Sequence, residues 1–164
     1  MTDQSYNVLF VCTGNSARSI LAEGLMNDAG KGRFKAYSAG SHPSGVVNPF
    51  ALETLREMRI PNDGLRSKSW DEFSKSGSAR LDFIFTVCDS AAGETCPFWP
   101  GQPMTAHWGV PDPAAFVGSD ADKRLQFRAT AITLKRRIDL MLALPINTLD
   151  AMATLHSLKD IGAR

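Results

Sequence analysis

Cys12 and Arg18 stand six positions apart in the stretch Cys-Thr-Gly-Asn-Ser-Ala-Arg-Ser, residues 12–19. The apolar run Tyr6 to Val11 leads into it and an amphipathic stretch, Arg18 to Ala29, leads out, a pattern that reads as strand, tight loop and helix. At such a junction the backbone N–H groups of Thr13, Gly14, Asn15, Ser16, Ala17 and Arg18 can converge on a tetrahedral oxyanion, and the helix N-terminus adds the positive end of its dipole. The planar fork of Arg18 can bind two oxygens at once. The same cation and dipole favour the thiolate of Cys12, the nucleophilic form, and Ser19 can add a hydroxyl donor to that sulfur. A nucleophile beneath a bound phosphate-like ion attacks that ion. The plainer account is a small core cysteine at a strand end, with the Cys-x5-Arg match arising by chance. Three features favour chemistry: the strand-to-helix junction, the serine that follows, and the pair Gly14 and Asn15, residue types that tolerate left-handed backbone.

Two further groups are candidates. Leu81 to Val87 reads as a strand that ends on Cys88, and a Gly/Pro-rich stretch leads on through Cys96 to Pro103. The spacing of Cys88 and Cys96 matches neither a zinc knuckle nor a Cys-x2-Cys redox pair. Cys88 is carried by its strand to the rim that holds Cys12. Cys96 reads either as an incidental loop residue or as a thiol that a folded-back loop brings to Cys88. Asp112 lies in His107-Trp-Gly-Val-Pro-Asp-Pro113, stiffened by a proline on each side. A carboxyl held over an oxyanion site can protonate a leaving oxygen; the alternative is a helix N-cap or turn, which Asp-Pro often provides. His107 reads as a structural or partly exposed ring, and Trp108 as a packing residue.

These groups need a frame. The chain of 164 residues suits one domain, with a body over residues 1–144 and a helical extension over 145–164. Strands at Tyr6–Val11, Phe34–Ser38, Leu81–Val87 and Thr105–Val110 alternate with helical patterns, which predicts an α/β fold: a four-stranded parallel sheet between layers of helices. Asn48 and Pro49 read as the cap and first residue of a second helix. The stripe Phe127, Ala131, Leu134, Ile138 and Met141 marks a long core helix from about Asp120 to Leu144. In such sheets ligands sit outside the carboxyl ends of the strands, where Cys12 and Cys88 both fall. In the extension, Leu149, Met152, Leu155 and Leu158 suggest a helix packed on the body or on a second subunit. A net charge of +1 argues against nucleic acid or an anionic membrane as partner. The N-terminus lacks the pattern of a signal peptide, so a cytoplasmic protein is expected, where three cysteines are inert or chemical rather than a disulfide framework.

Together Cys12-x5-Arg18-Ser19 and the late Asp112-Pro113 resemble the low-molecular-weight protein tyrosine phosphatases. Phe85-Thr-Val-Cys88, Cys96-Pro97 and His107-Trp108-Gly109 narrow the resemblance to the arsenate reductases built on that fold, over roughly residues 6 to 144. The resemblance implies that the loop from Cys12 to Arg18 holds arsenate, with phosphate or sulfate as competing oxyanions. It implies that Cys12 attacks arsenic, that Asp112 protonates the leaving oxygen, and that Cys88 attacks Cys12 as arsenite departs. In the thioredoxin-coupled branch Cys96 then attacks Cys88. No bound cofactor is implied, only an external thiol reductant, thioredoxin or glutathione with glutaredoxin. Seven residues separate Cys88 from Cys96, one more than in the best-known thioredoxin-coupled members, which leaves room for the glutathione route. Some members hold a monovalent cation behind the loop. Asn15, Glu23 and Ser38 match that site, but Trp70 replaces an expected aspartate, so no metal is expected.

Ala114 and Ala115 stand where phosphatases carry an aromatic pair, which disfavours a tyrosine phosphatase as the alternative reading. A third reading, a metalloid sink built from Cys12, Cys88, Cys96 and His107, leaves Arg18 unexplained.

Overall fold

β1 (Tyr6–Cys12) is an apolar, β-branched and aromatic run, and from Val8 onward every residue is buried. Strands buried on both faces belong in the middle of a parallel sheet, and β1 lies there. The order is β2-β1-β3-β4, all parallel, with β2 over Phe34–Gly40, β3 over Phe83–Thr86 and β4 over Met104–His107. The computed structural model describes residues 5–75, 77–89 and 102–164. Parallel neighbours need crossovers. α1 (Arg18–Ala29) links β1 to β2, and α2 (Pro49–Glu57) follows β2. A 3₁₀ turn, Trp70–Phe73, precedes β3; after β4 come a second at Pro113–Ala115, α3 (Asp120–Leu142) and α4 (Ala151–Gly162). Asn48 caps α2 as expected, accepting from the Phe50 amide at 2.8 Å, with Pro49 in the first turn.

The core is aromatic beneath the functional rim. Phe10 on β1 faces Phe85 on β3, and the indole of Trp108 stacks on Phe85 at 3.8 Å. All three rings are fully buried. The α3 stripe is as expected: Phe127, Ala131, Leu134, Ile138 and Met141 are all fully buried. β2 runs two residues beyond the expected Ser38, to Gly40. There Cys12 pairs with Gly40, and a Cβ at Gly40 would collide with the Thr13 carbonyl and crowd Asn15. Only glycine lets the second strand come this close to the loop after β1. β3 and β4 are shorter than the sequence suggested, because Val87, Trp108 and Val110 continue the pairing as single hydrogen bonds, Val87 N to Val11 O, Trp108 N to Thr86 O and Val110 N to Val87 O.

The extension forms a helix, but on a different face. Thr154, Leu158 and Ile161 are buried, whereas Met152 is 84% exposed. The buried set follows i, i+4, i+7 spacing, and the leucine series read from the sequence mixes two sides of the helix.

Candidate active site

The loop after β1 is held by its carbonyls. Backbone amides of the segment after β2 reach them in succession: Ser41 N to Cys12 O at 3.3 Å, His42 N to Thr13 O at 2.9 Å, Ser44 N to Gly14 O at 3.0 Å and Asn48 N to Ser16 O at 2.8 Å. Ser67 Oγ also donates to Gly14 O at 3.2 Å. This turns the carbonyl edge of the loop toward that segment. The turn itself is made by Asn15, at φ 46°, fully buried. Gly14, also expected to serve here, does not adopt positive φ. The Asn15 side chain locks the conformation from both ends: Nδ2 donates to Ser19 Oγ at 2.8 Å, and Oδ1 accepts from the Lys68 amide at 2.9 Å. Because Ser19 accepts there, its own proton stays available to donate.

Cys12 and Cys88 are both buried, 5% and 2% exposed, and in hydrogen-bonding contact. The β1–β3 pairing brings the two strand ends together; Thr13 Oγ1 lies 3.7 Å from Cys88 Sγ. Here the sequence expectation of a ready thiolate is corrected. The hydrogen bond with Cys88 and then burial push the Cys12 thiol well above its ordinary value, and the nearby Arg18 charge only partly opposes them. Cys96 lies outside the described residues.

Arg18 is the first residue of α1, and its guanidinium is 16% exposed. Its Nη1 donates to Val110 O at 3.1 Å, and its Nη2 lies 3.6 Å from Asp112 Oδ2. The other carboxylate oxygen of Asp112 accepts from the Ala114 amide at 3.0 Å and caps the short 3₁₀ turn. The turn-capping reading of Asp112 is therefore realised, and the oxygen that remains faces Arg18. Arg18, Cys88, Asp89, Gly109, Val110, Pro111 and Asp112 line an open pocket of about 460 Å³.

Two groups were not legible in the sequence, and a third, His107, was legible in its exposure but not in its partners. His107 sits between Thr86 Oγ1 and Asp89 Oδ1, 2.7 Å from each. Its ring is 42% exposed, in keeping with the partly exposed ring read from the sequence. Lys68 is a buried ammonium behind the loop, its Nζ 3.6 Å from Glu23 Oε1 and 2.9 Å from Arg66 O. Arg137 is a buried guanidinium held by carbonyls of residues 108 and 109. Each depends on contacts between distant segments, and no local spacing signals them.

Lys68 also decides the cation question. Ser38 Oγ donates to Glu23 Oε1 at 2.6 Å, and the Lys68 ammonium faces the same oxygen. Asn15 spends both ends of its amide on Ser19 and Lys68. Burial lowers the ammonium's pKa, while Glu23 opposes the shift. The carboxylate already has its positive partner, so these residues do not fit a resident monovalent cation. Exchanging potassium for sodium at constant ionic strength is expected to leave turnover unchanged; a loss on removing potassium would mean that a cation binds here beside Lys68.

The sequence profile of the low molecular weight phosphotyrosine protein phosphatases matches residues 7–153. An arsenate reductase of Halalkalibacterium halodurans is 34% identical over 131 residues, covering 80% of this chain and 91% of that protein. Among solved structures, an arsenate reductase in the phosphate binding state is 28% identical with a TM-score of 0.67, covering 84% of this chain and 97% of that one. A low molecular weight protein tyrosine phosphatase from T. tengcongensis is 27% identical with a TM-score of 0.63, covering 82% and 96%. The four-stranded parallel sheet, the Cys12-to-Arg18 loop and these likenesses agree: the chain belongs to the low molecular weight phosphotyrosine protein phosphatase family and stands there with the arsenate reductases.

Proposed function

We propose that the protein reduces arsenate to arsenite through a cysteine relay. The observation that carries the reading is the juxtaposition of two buried cysteines at the mouth of the loop, near enough that Cys88 hydrogen-bonds Cys12 and raises its thiol. Hydrolysis finishes with water and needs one thiol. Reduction must deliver two electrons, and a second sulfur touching the first is the means of doing so.

Arsenate enters the pocket beside Arg18, and the amide edge of residues 13–18 receives its oxygens. One of its oxygens takes up the Cys12 proton as the sulfur attacks, so the raised thiol becomes a nucleophile only with the oxyanion in place. The Cys12 sulfur bonds to arsenic, and the departing oxygen takes a proton from Asp112 and leaves as water. Cys88 then attacks Cys12 Sγ. The sulfur–arsenic bonding pair passes to arsenic, which becomes trivalent and departs as arsenite, leaving a Cys12–Cys88 disulfide. In the branch that uses Cys96, this thiol attacks Cys88, frees Cys12, and offers a Cys88–Cys96 disulfide to thioredoxin. Without it, glutathione with glutaredoxin resolves Cys12–Cys88 directly. Both routes suit a reducing compartment, and the cytoplasm is the proposed location. Phosphate and sulfate compete for the loop.

One observation favours a second, lesser activity. Asp112 faces Arg18 independently of Cys88, so the apparatus for aryl phosphate hydrolysis is complete without the relay. Slow phosphatase turnover is expected beside reduction.

The deciding measurement is arsenite formation by the purified protein, with either thioredoxin and its reductase or glutathione and glutaredoxin as sole electron source. Turnover with thioredoxin supports the branch that closes on Cys96, and turnover with glutathione alone supports its bypass. No arsenite with either, beside brisk aryl phosphate hydrolysis, would make the protein a phosphatase.

A further inference from the structure

Arg137 lies on α3, away from the loop that holds the oxyanion, and is 7% exposed. No Asp or Glu side chain pairs with it among the described residues. Its Nη1 donates to Trp108 O at 2.8 Å and to Gly109 O at 3.0 Å, and its Nη2 to Arg164 O at 3.3 Å. Its Nε is buried without a hydrogen-bond partner. Burying a guanidinium against main-chain oxygens, with one donor orphaned, is a poor source of stability. What it does achieve is geometric. The carbonyls it grips immediately precede Val110, whose own carbonyl holds Arg18, and Asp112, which faces Arg18.

The other sides of the segment are also fixed. Trp108 N and Val110 N donate to the backbone of β3 and its extension, at 2.7 Å and 3.1 Å. The Trp108 indole donates to Leu158 O on α4 at 2.9 Å. Near the end of α4, Gly162 packs against the His107 carbonyl so closely that a Cβ would collide with it. The C-terminal helix thus closes behind the strand end from which the Asp112 loop departs, and Arg137 spans the loop and the tail.

We propose that Arg137 is a positioning residue for the acid loop: by holding the Trp108 and Gly109 carbonyls with Nη1 while Nη2 holds the tail at Arg164, it ties the loop to the closed α4 and sets where Asp112 and the Val110 carbonyl meet Arg18. The inference rests on the reading of Asp112 as proton donor. A lysine cannot reproduce the fork, since it offers a point charge in place of a planar set of donors.

The test is a double-mutant cycle between Arg137→Lys and Asp112→Asn, read as kcat and KM for arsenate. In the wild-type background Arg137→Lys is expected to lower kcat about tenfold through misplacement of the acid, with KM little changed. In the Asp112→Asn background the same substitution is expected to cost almost nothing, because there is no acid left to misplace. Arg137→Met serves as the second variant. It removes both the buried charge and the orphaned Nε, so its fold is expected to survive, and it must show the same non-additivity. Equal losses from Arg137→Lys in both backgrounds, with Asp112→Asn itself slow, would overturn the inference and leave the acid assignment standing. Full turnover by Asp112→Asn alone would overturn both. Absence of loss in Arg137→Lys and Arg137→Met would return the residue to a packing role.

Discussion

Cys88→Ser is expected to abolish arsenite formation while leaving aryl phosphate hydrolysis within about twofold of wild type. The two outcomes separate because the two chemistries need different numbers of sulfurs. Arg18 and Asp112 face each other through contacts that do not involve Cys88. Serine preserves the shape of the buried position but cannot accept the disulfide bond that releases arsenic as arsenite. The substitution also acts on Cys12. Its thiol is raised first by the hydrogen bond with Cys88 and then by burial, and serine cannot carry the competing negative charge. Removing that competition lowers the pKa of Cys12. The rate of Cys12 alkylation by iodoacetamide, followed against pH, should therefore reach its midpoint at lower pH in Cys88→Ser than in wild type. An unchanged profile would mean that Cys88 does not govern the protonation of Cys12. Loss of both activities in a folded Cys88→Ser protein would count against the relay.

Cys12→Ser is expected to remove both activities, by at least about 10⁴-fold, while phosphate binding survives. The hydroxyl is a far weaker nucleophile than the thiol, and an ester of serine cannot be attacked by Cys88 to form a disulfide. The oxyanion site does not depend on the sulfur. Its backbone is fixed by Asn15, Gly40 and the amides of residues 41–48, and its charge by Arg18. Isothermal titration with inorganic phosphate checks the point. Binding lost together with catalysis would mean that Cys12 shapes the loop, and the roles assigned here would have to be redrawn.

How much of this was legible in the sequence depends on how local each signal is. The loop residues Cys12 to Ser19 are contiguous, so their types and order carried the chemistry. The long helix α3 declared itself because its stripe continues over about four turns, and all five of its named positions are fully buried. The tail helix has too few apolar residues to fix its phase, and Thr154, a polar residue by type, is 2% exposed on its packed face. Cys88 was placed on the right rim by the general rule for parallel sheets, yet its contact with Cys12 depends on the β1–β3 register, which no spacing reveals. The upward shift of the Cys12 thiol follows first from that contact and then from burial. Lys68 and Arg137 are buried charges, the residue types least expected inside, and each is held by segments far away in the chain.

The capped carboxylate of Asp112 has a consequence for stereochemistry. The Ala114 amide engages Oδ1 while Oδ2 turns toward Arg18, so the two oxygens of the carboxyl are not equivalent. Pro111 and Pro113 restrict the backbone on either side. In the proposed mechanism, an oxyanion whose leaving oxygen points toward Oδ2 can react, and one bound with that oxygen turned away must rebind.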